Sequence, residues 1–250
     1  MSEHIQISRD HLVQVIRIAR PEKKNALTRD MYAAMTRALM EGDADEGVRT
    51  HLLLGQPGMF SSGNDIADFI AVAQEGALGG EVLAFLEALA GVKKPLVSGV
   101  DGIAVGIGTT VNLHCDLTFA TSRTVFRTPF VELGLVPEAG SSLLYPAAIG
   151  GQRAFAALVM GEPLSAQEAQ AAGLIYRIVG EELLEATAMQ AAQKLASLPP
   201  EAVRQSKALL KAPREPLLDR IREEASLFGE RLSSREAMEA FQAFMSRKAS

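Results

Sequence analysis

Three glycines follow a short apolar run in Val97-Ser98-Gly99-Val100-Asp101-Gly102-Ile103-Ala104-Val105-Gly106-Ile107-Gly108-Thr109-Thr110. The run reads as a strand and the residues beyond Gly108 have helical spacing, so the glycines fall where strand becomes helix. There they let the backbone approach a ligand and leave the first helical N–H groups without partners. Those N–H groups, with the positive end of the helix dipole, make a site for negative charge. The charge is either a permanent phosphate or an oxygen that turns negative only during a reaction. The sequence lacks the full Gly-x-Gly-x-x-Gly after Val105 and has no Gly-x-x-x-x-Gly-Lys-Ser/Thr, which argues against the phosphate. It also has no Gly-x-Ser-x-Gly elbow, so Ser61 and Ser62 are poor nucleophiles and serve packing instead.

A carboxylate that could carry a proton lies further on, in Val136-Pro137-Glu138-Ala139-Gly140-Ser141-Ser142. Apolar neighbours (Leu135, Val136, Ala139) would raise the pKa of Glu138 towards neutrality, which suits a proton shuttle. The competing reading is structural: a glutamate here could simply favour the N-terminus of the next helix. Glu132 is a second candidate, and Asp65 and Asp116 read as structural. The four histidines (His4, His11, His51, His114) show no metal-ligand spacing, and His51 falls in a strand. Cys115 is the single cysteine, so no intramolecular disulfide can form, and it reads as a small core residue.

These groups must be positioned by recurring strand, small-residue turn and helix. Residues 4–20 alternate in two runs and predict a hairpin. Thr28 can cap a helix carrying Met31, Met35 and Leu39 on one face, closed by Gly42 and Asp43. Thr50–Leu54, Leu117–Ala120, Thr124–Arg127 and Ile175–Val179 read as short strands. Met59-Phe60-Ser61-Ser62-Gly63-Asn64-Asp65-Ile66 is a second small-residue turn entering a helix. Residues 70–80, rich in Ala, Gly and Gln, read as a mobile segment, and Glu81–Leu89 as a helix ending at Gly91. Gln152–Val159 and Ser165–Ala172 are helices, the second with Ser165 and Glu168 as a capping box. From Glu181 onward the pattern is helical, broken at Pro199-Pro200 and again at Pro213 and Pro216, with Ser233 and Glu236 as a second capping box. This predicts an α/β core with parallel pairing over residues 1–195 and a helical C-terminal part over 196–250.

With 250 residues and 48% hydrophobic content, the chain can bury a large core. A net charge of −5 and a pI near 5.5 give no basic field for nucleic acid. The N-terminus lacks the pattern of a signal peptide and no run is long and apolar enough to span a bilayer, so a soluble cytoplasmic protein without membrane association is expected.

Taken together, the segments carry more than any one of them. Lys24-Asn25-Ala26-Leu27, Phe60-Ser61-Ser62-Gly63-Asn64-Asp65, Asp101-Gly-Ile-Ala-Val-Gly-Ile-Gly, Thr128-Pro-Phe-Val-Glu-Leu-Gly-Leu-Val-Pro-Glu138-Ala-Gly and Gly161-Glu-Pro-Leu-Ser-Ala-Gln-Glu occur in that order. This resembles the enoyl-CoA hydratase/isomerase (crotonase) family over roughly residues 5–210, and most of all its peroxisomal-type 3-enoyl-CoA to 2-enoyl-CoA isomerase branch. The resemblance implies a spiral of ββα units, with the C-terminal helices as a trimerisation or lid region of a homotrimer or dimer of trimers. It implies an acyl-CoA substrate, which itself carries the coenzyme A, with no separate cofactor and no metal. By motif position the backbone N–H groups of Asn64 and Ile107 form the oxyanion hole, and Glu138 matches the isomerase glutamate. Lys24, Asn25, Ala26, Leu27, Ser62, Asp65, Ile66 and Gly106 would line the CoA site, with Lys23 as a further phosphate partner. Lys207 would reach a neighbouring subunit's CoA, and residues 66–85 would shape the acyl pocket. Hydratases of the family carry two glutamates, at the positions of Thr110 and Phe130 here, which argues for isomerisation. The alternatives are hydration or another reaction of the family, and a silent acyl-CoA-binding or RNA-binding relative, the last disfavoured by the acidic pI.

Overall fold

Alternation at the start of the chain produces the expected hairpin: β1 (Ile5–Asp10) pairs antiparallel with β2 (Val13–Ile18). The computed structural model describes residues 2–69, 79–211 and 214–249. In it, the apolar runs of β3 (Thr50–Leu54), β5 (Leu96–Val100), β7 (Leu117–Thr121) and β10 (Arg177–Val179) continue from β2 as parallel neighbours, giving a six-stranded sheet ordered β1-β2-β3-β5-β7-β10. β3 and β5 are buried at every residue because both faces of this sheet are covered. A second sheet, ordered β4-β6-β8-β9, is built from β4 (Met59–Ser61), β6 (Ile103–Val105), β8 (Val125–Arg127) and β9 (Leu164–Ser165). The chain passes from the first sheet to the second and then into a helix, repeatedly. This is the expected ββα spiral.

Helices cover the first sheet on both faces. On one, Leu184, Ala188, Ala192 and Ala196 of α7 (Leu184–Ser197) pack on Val13, Leu52, Leu54, Val97 and Phe119. The four-residue spacing of small side chains lets this helix lie close. On the other face, Met31, Met35 and Leu39 of α1 (Arg29–Ala44) join Phe85, Leu86 and Leu89 of α2 (Gly80–Gly91) in the main core. Burying one such large side chain contributes roughly 1.5–3 kcal/mol. The same core takes in Ile221, Ala225, Phe228 and Leu232 of α9 (Arg214–Leu232), and Ala237 and Phe241 of α10 (Arg235–Ala249). Among the described residues no helix is long and apolar enough to cross a membrane.

Three local expectations are corrected. Gly42 and Asp43 do not end α1, which runs to Ala44. Gly42 is there because a Cβ would lie 2.1 Å from Gln14 Oε1 and 2.8 Å from the His51 ring. Asp43 instead accepts the backbone N–H groups of Lys93 and Lys94 and fixes the entry to β5. Pro216 does not interrupt a helix, because α9 begins at Arg214 and a first turn has no N–H bond to lose. The last helix is capped one residue later than expected. Ser234 Oγ accepts from Ala237 N at 3.2 Å, while the Ser233 hydroxyl donates to Glu230 O and still belongs to the turn before. Thr28 caps α1, and the Ser165–Glu168 capping box of α6 (Ala166–Ala172) forms as predicted. Of the stretch read as mobile, residues 70–78 lie outside the described residues, as does Pro213.

Candidate active site

Two segments far apart in sequence are laced side by side by Asn25. Its buried side-chain amide donates to Ile18 O, Met59 O and Phe60 O, and its Oδ1 accepts from Arg20 N. Lys24 and Asn25 both take left-handed backbone, with φ of 51° and 54°, which turns the chain onto β4. Leu27 N then donates to Gly63 O at 2.8 Å, Asp65 N to Leu27 O at 2.9 Å and Ser62 N to Lys24 O at 3.0 Å. Residues 24–27 and 62–66 therefore form one continuous wall. Asp65 caps its own turn through Ala67 N and holds Arg20 at 2.7 Å, so its carboxylate is occupied within the loop.

Parallel pairing of β4 with β6 delivers the two small-residue turns to the same edge. Gly63 (φ +91°) sits so near the second turn that a Cβ on it would lie 3.0 Å from Val105 O. Gly106 has φ +56° and ψ −121°, backbone that disfavours a side chain. Its N–H is spent on Arg127 O and its carbonyl on Thr109 N and Thr110 N. Between these occupied groups, the N–H of Asn64 and the N–H of Ile107 have no acceptor among the described residues. Ile107 opens the one-turn helix α3 (Ile107–Thr110), where a first N–H has no partner within the helix. Two adjacent free donors can hold an oxygen that gains negative charge.

About one helical turn further along α3, a rise of about 5 Å, Thr110 Oγ1 donates to Glu138 Oε1 at 2.6 Å. Glu138 is 4% exposed, and its other oxygen accepts no hydrogen bond among the described residues. Burial pushes its pKa up to about 8, opposed by the Thr110 hydroxyl and reinforced by the charge of Glu224. A carboxyl poised there can both take and return a proton near neutral pH. Glu132, the second candidate, instead pairs with Arg127 at 2.8 Å, both side chains 44% exposed. Phe130 is buried in the core.

Three side chains that the sequence reading passed over surround this pair. Tyr32, buried in α1, donates its hydroxyl to Asn64 Oδ1 at 2.5 Å. Burial, with Glu138 nearby, pushes its phenol pKa well above the usual value, so it stays a donor. His114 Nε2 donates to Ala139 O at 2.8 Å, and burial holds its pKa down at about 4. Glu224 accepts from Gly140 N and Ser142 N. Helical spacing held a signal for the last: Glu224 falls on the stripe of Ile221, Ala225, Phe228 and Leu232, where an unpaired charge would not be placed. Lys207 is engaged within the chain. Its ammonium is bound by Asp116 and by Lys94 O, both at 2.7 Å. Asp116 also accepts Leu96 N, which makes it structural as expected.

This geometry has counterparts. The family model for enoyl-CoA hydratase/isomerase matches residues 8–250. Enoyl-CoA delta isomerase 2 of Rattus norvegicus is 34% identical over 253 residues, covering 99% of this chain and 64% of that protein, so the chain spans less than two thirds of that relative's length. The structure of Pseudomonas aeruginosa OdaA superposes with a TM-score of 0.93 at 42% identity over 98% of this chain and 99% of that one. An enoyl-CoA hydratase/isomerase structure from Pseudoalteromonas atlantica T6c gives 0.92 at 37% identity over 98% of both. Paired turns with free N–H donors, a buried carboxyl beside them and a match along nearly the whole sequence lead to one conclusion: the chain belongs to the enoyl-CoA hydratase/isomerase family.

Proposed function

We propose that the protein is an enoyl-CoA isomerase that moves a 3-enoyl double bond to the 2 position with Glu138 as its one proton carrier. The observation that carries this reading is the Thr110–Glu138 hydrogen bond. Where hydratases of the family hold one of their two glutamates, this chain has the hydroxyl of Thr110, which donates to Glu138. A single carboxylate suits proton transfer between two carbons better than the holding and splitting of a water. The delta isomerase relative supports the same reaction.

The CoA would lie along residues 24–27 and 62–66, with Lys23 and Lys24 as phosphate partners, and the thioester oxygen between Asn64 N and Ile107 N. Glu138 as carboxylate takes a proton from C2. The resulting dienolate charge rests on the oxygen facing the two N–H groups, and Glu138 returns the proton at C4. Exposed apolar residues such as Phe155, Met160, Leu209 and Leu210 support assembly as a homotrimer or dimer of trimers.

The test offers 3-hexenoyl-CoA and crotonyl-CoA to the wild type and to Glu138→Gln. Isomerisation should fall by about 10²–10⁴ in the variant, with slow hydration by either protein. Unchanged isomerisation would overturn the assignment, and rapid hydration by the wild type would favour a hydratase. Binding of both without turnover would leave a silent acyl-CoA-binding relative.

A further inference from the structure

The loop that aims Glu138 contains an unfavourable pair of residues. Ala139 has φ +62° and Gly140 φ +68°, so a side-chain-bearing residue sits in left-handed backbone while fully buried. Such a residue costs on the order of 1–3 kcal/mol and persists only where its surroundings hold it. Both polar groups of the Ala139–Gly140 peptide are in fact taken by buried side chains. His114 donates to the carbonyl at 2.8 Å and Glu224 accepts from the N–H at 2.6 Å. The second oxygen of Glu224 accepts Ser142 N at 2.9 Å, at the start of α4 (Ser141–Ile149).

A carboxylate is a costly choice at this place. Glu224 is 5% exposed on a helix stripe that is otherwise apolar, and burying a charge is unfavourable unless hydrogen bonds satisfy it. Position 140 cannot supply a cap of its own, because Gly140 has φ +68° and a Cβ there would lie 2.5 Å from Leu217 Cδ1. Glu224 comes from a distant helix instead and grips the residue after next to Glu138. We infer that Glu224 is a positioning residue, which holds the Ala139–Gly140 turn from behind and thereby fixes the direction of the Glu138 carboxyl towards the oxyanion hole. This deepens the isomerase reading and rests on it.

The charged surroundings are these. Glu138 faces Thr110 from α3, Tyr32 from α1 and Glu224 from α9. Glu224 faces the N–H groups of the loop and of α4, with Arg220 one turn earlier on its own helix. Arg220 is shared with Ser142 Oγ at 3.2 Å and Glu223 at 3.1 Å. His114, on the far side of the peptide, is neutral at pH 7. The negative charge of Glu224 also acts on Glu138 and favours its protonated form.

The test uses Glu224→Gln and Glu224→Asp in the full chain, with Glu138→Gln as reference. For both Glu224 variants, kcat for 3-hexenoyl-CoA should drop by up to about 10²-fold, the effect of a misplaced group, with KM unchanged. In protein carrying ¹³C-labelled glutamate carboxyls, the Glu138 titration midpoint should move to lower pH in Glu224→Gln and stay in place in Glu224→Asp, which keeps the charge on a shorter arm. If Glu224→Gln does not fold, kcat of Glu224→Asp decides alone. Wild-type kcat in the folded variants overturns the inference, even with lowered thermal stability, as does a rise in KM with kcat preserved. Should Glu138→Gln remain fully active, it is the isomerase reading that fails; the carboxyl titration still reports whether Glu224 acts on Glu138.

Discussion

Thr110 and Glu138, on a one-turn helix and on the loop before α4, meet through a 2.6 Å hydrogen bond between buried groups. The hydroxyl favours the carboxylate, while burial favours the acid. Their balance leaves the carboxyl half-ionised at about pH 8. A carboxylate in place of Thr110 would push the same group further towards the acid, so under the proposed reaction the Thr110 hydroxyl is the donor that keeps Glu138 usable as a base.

Replacing that donor tests the balance. Thr110→Val keeps the shape and removes the hydroxyl, so the pKa of Glu138 should rise further above its ordinary range. The acid limb of the kcat/KM profile should then move to higher pH, with about a tenfold loss at neutral pH for each pKa unit of displacement. A profile measured with 3-hexenoyl-CoA checks this, and an unmoved limb would show that the hydroxyl does not act on the base.

The same burial makes Glu138 a cost to stability. Its folded pKa, about 8, lies above the ordinary 4.5, so between these values the folded state binds more protons than the unfolded chain. Stability must then fall as pH rises through that window, by about 1.4 kcal/mol per pH unit from this group alone. Glu138→Gln should therefore melt at higher temperature than the wild type above pH 8, with the difference shrinking towards pH 4.5. Calorimetry at several pH values gives the answer. Parallel Tm curves for the two proteins would contradict the buried, raised carboxyl.

His114 works in the opposite window. Its folded pKa of about 4 lies below the ordinary 6.5, so the unfolded chain binds the extra proton and stability falls as pH drops from 6.5 to 4. His114→Gln can still donate to Ala139 O but cannot take up charge. Its stability should lose less over that interval than the wild type's, by up to about 1.4 kcal/mol per pH unit. Urea midpoints at both ends of the window measure the difference, and equal acid losses would remove His114 from the account.

How much of this was legible in the sequence depended on the range of each interaction. The two small-residue turns, Glu138 and the Ser165–Glu168 box are written in consecutive residues, and each is where the sequence placed it. Glu224, His114 and Tyr32 act across long sequence separations, so no local pattern names their partners. In Arg222-Glu223-Glu224 the buried carboxylate is one letter from an exposed one, and only its register with Ile221 and Phe228 separates them. The Ser233/Ser234 shift has a similar origin: both are good caps, and the choice was made by how α9 closes its last turn.

Gly106 offers the sharpest test of the oxyanion hole, because space and backbone strain can be separated there. A Cβ at Gly106 would meet only Gly63 Cα, at 4.0 Å, so there is room for Gly106→Ala. The obstacle is φ +56° with ψ −121°, which costs a residue with a side chain on the order of 1–3 kcal/mol. The turn can relieve that strain only by rotating the peptide that carries the Ile107 N–H away from its direction. The variant should thus lose about 10²–10³ in kcat, as when one oxyanion donor is removed, with a modest fall in Tm. Gly150→Ala supplies the control: it also has positive φ (+83°) and open space around its Cβ, but lies between α4 and α5 (Gly151–Leu158), outside the proposed site. It should lose comparable stability and keep its turnover. Equal activity losses in both variants would mean that strain alone, and not the aim of the Ile107 N–H, limits the reaction.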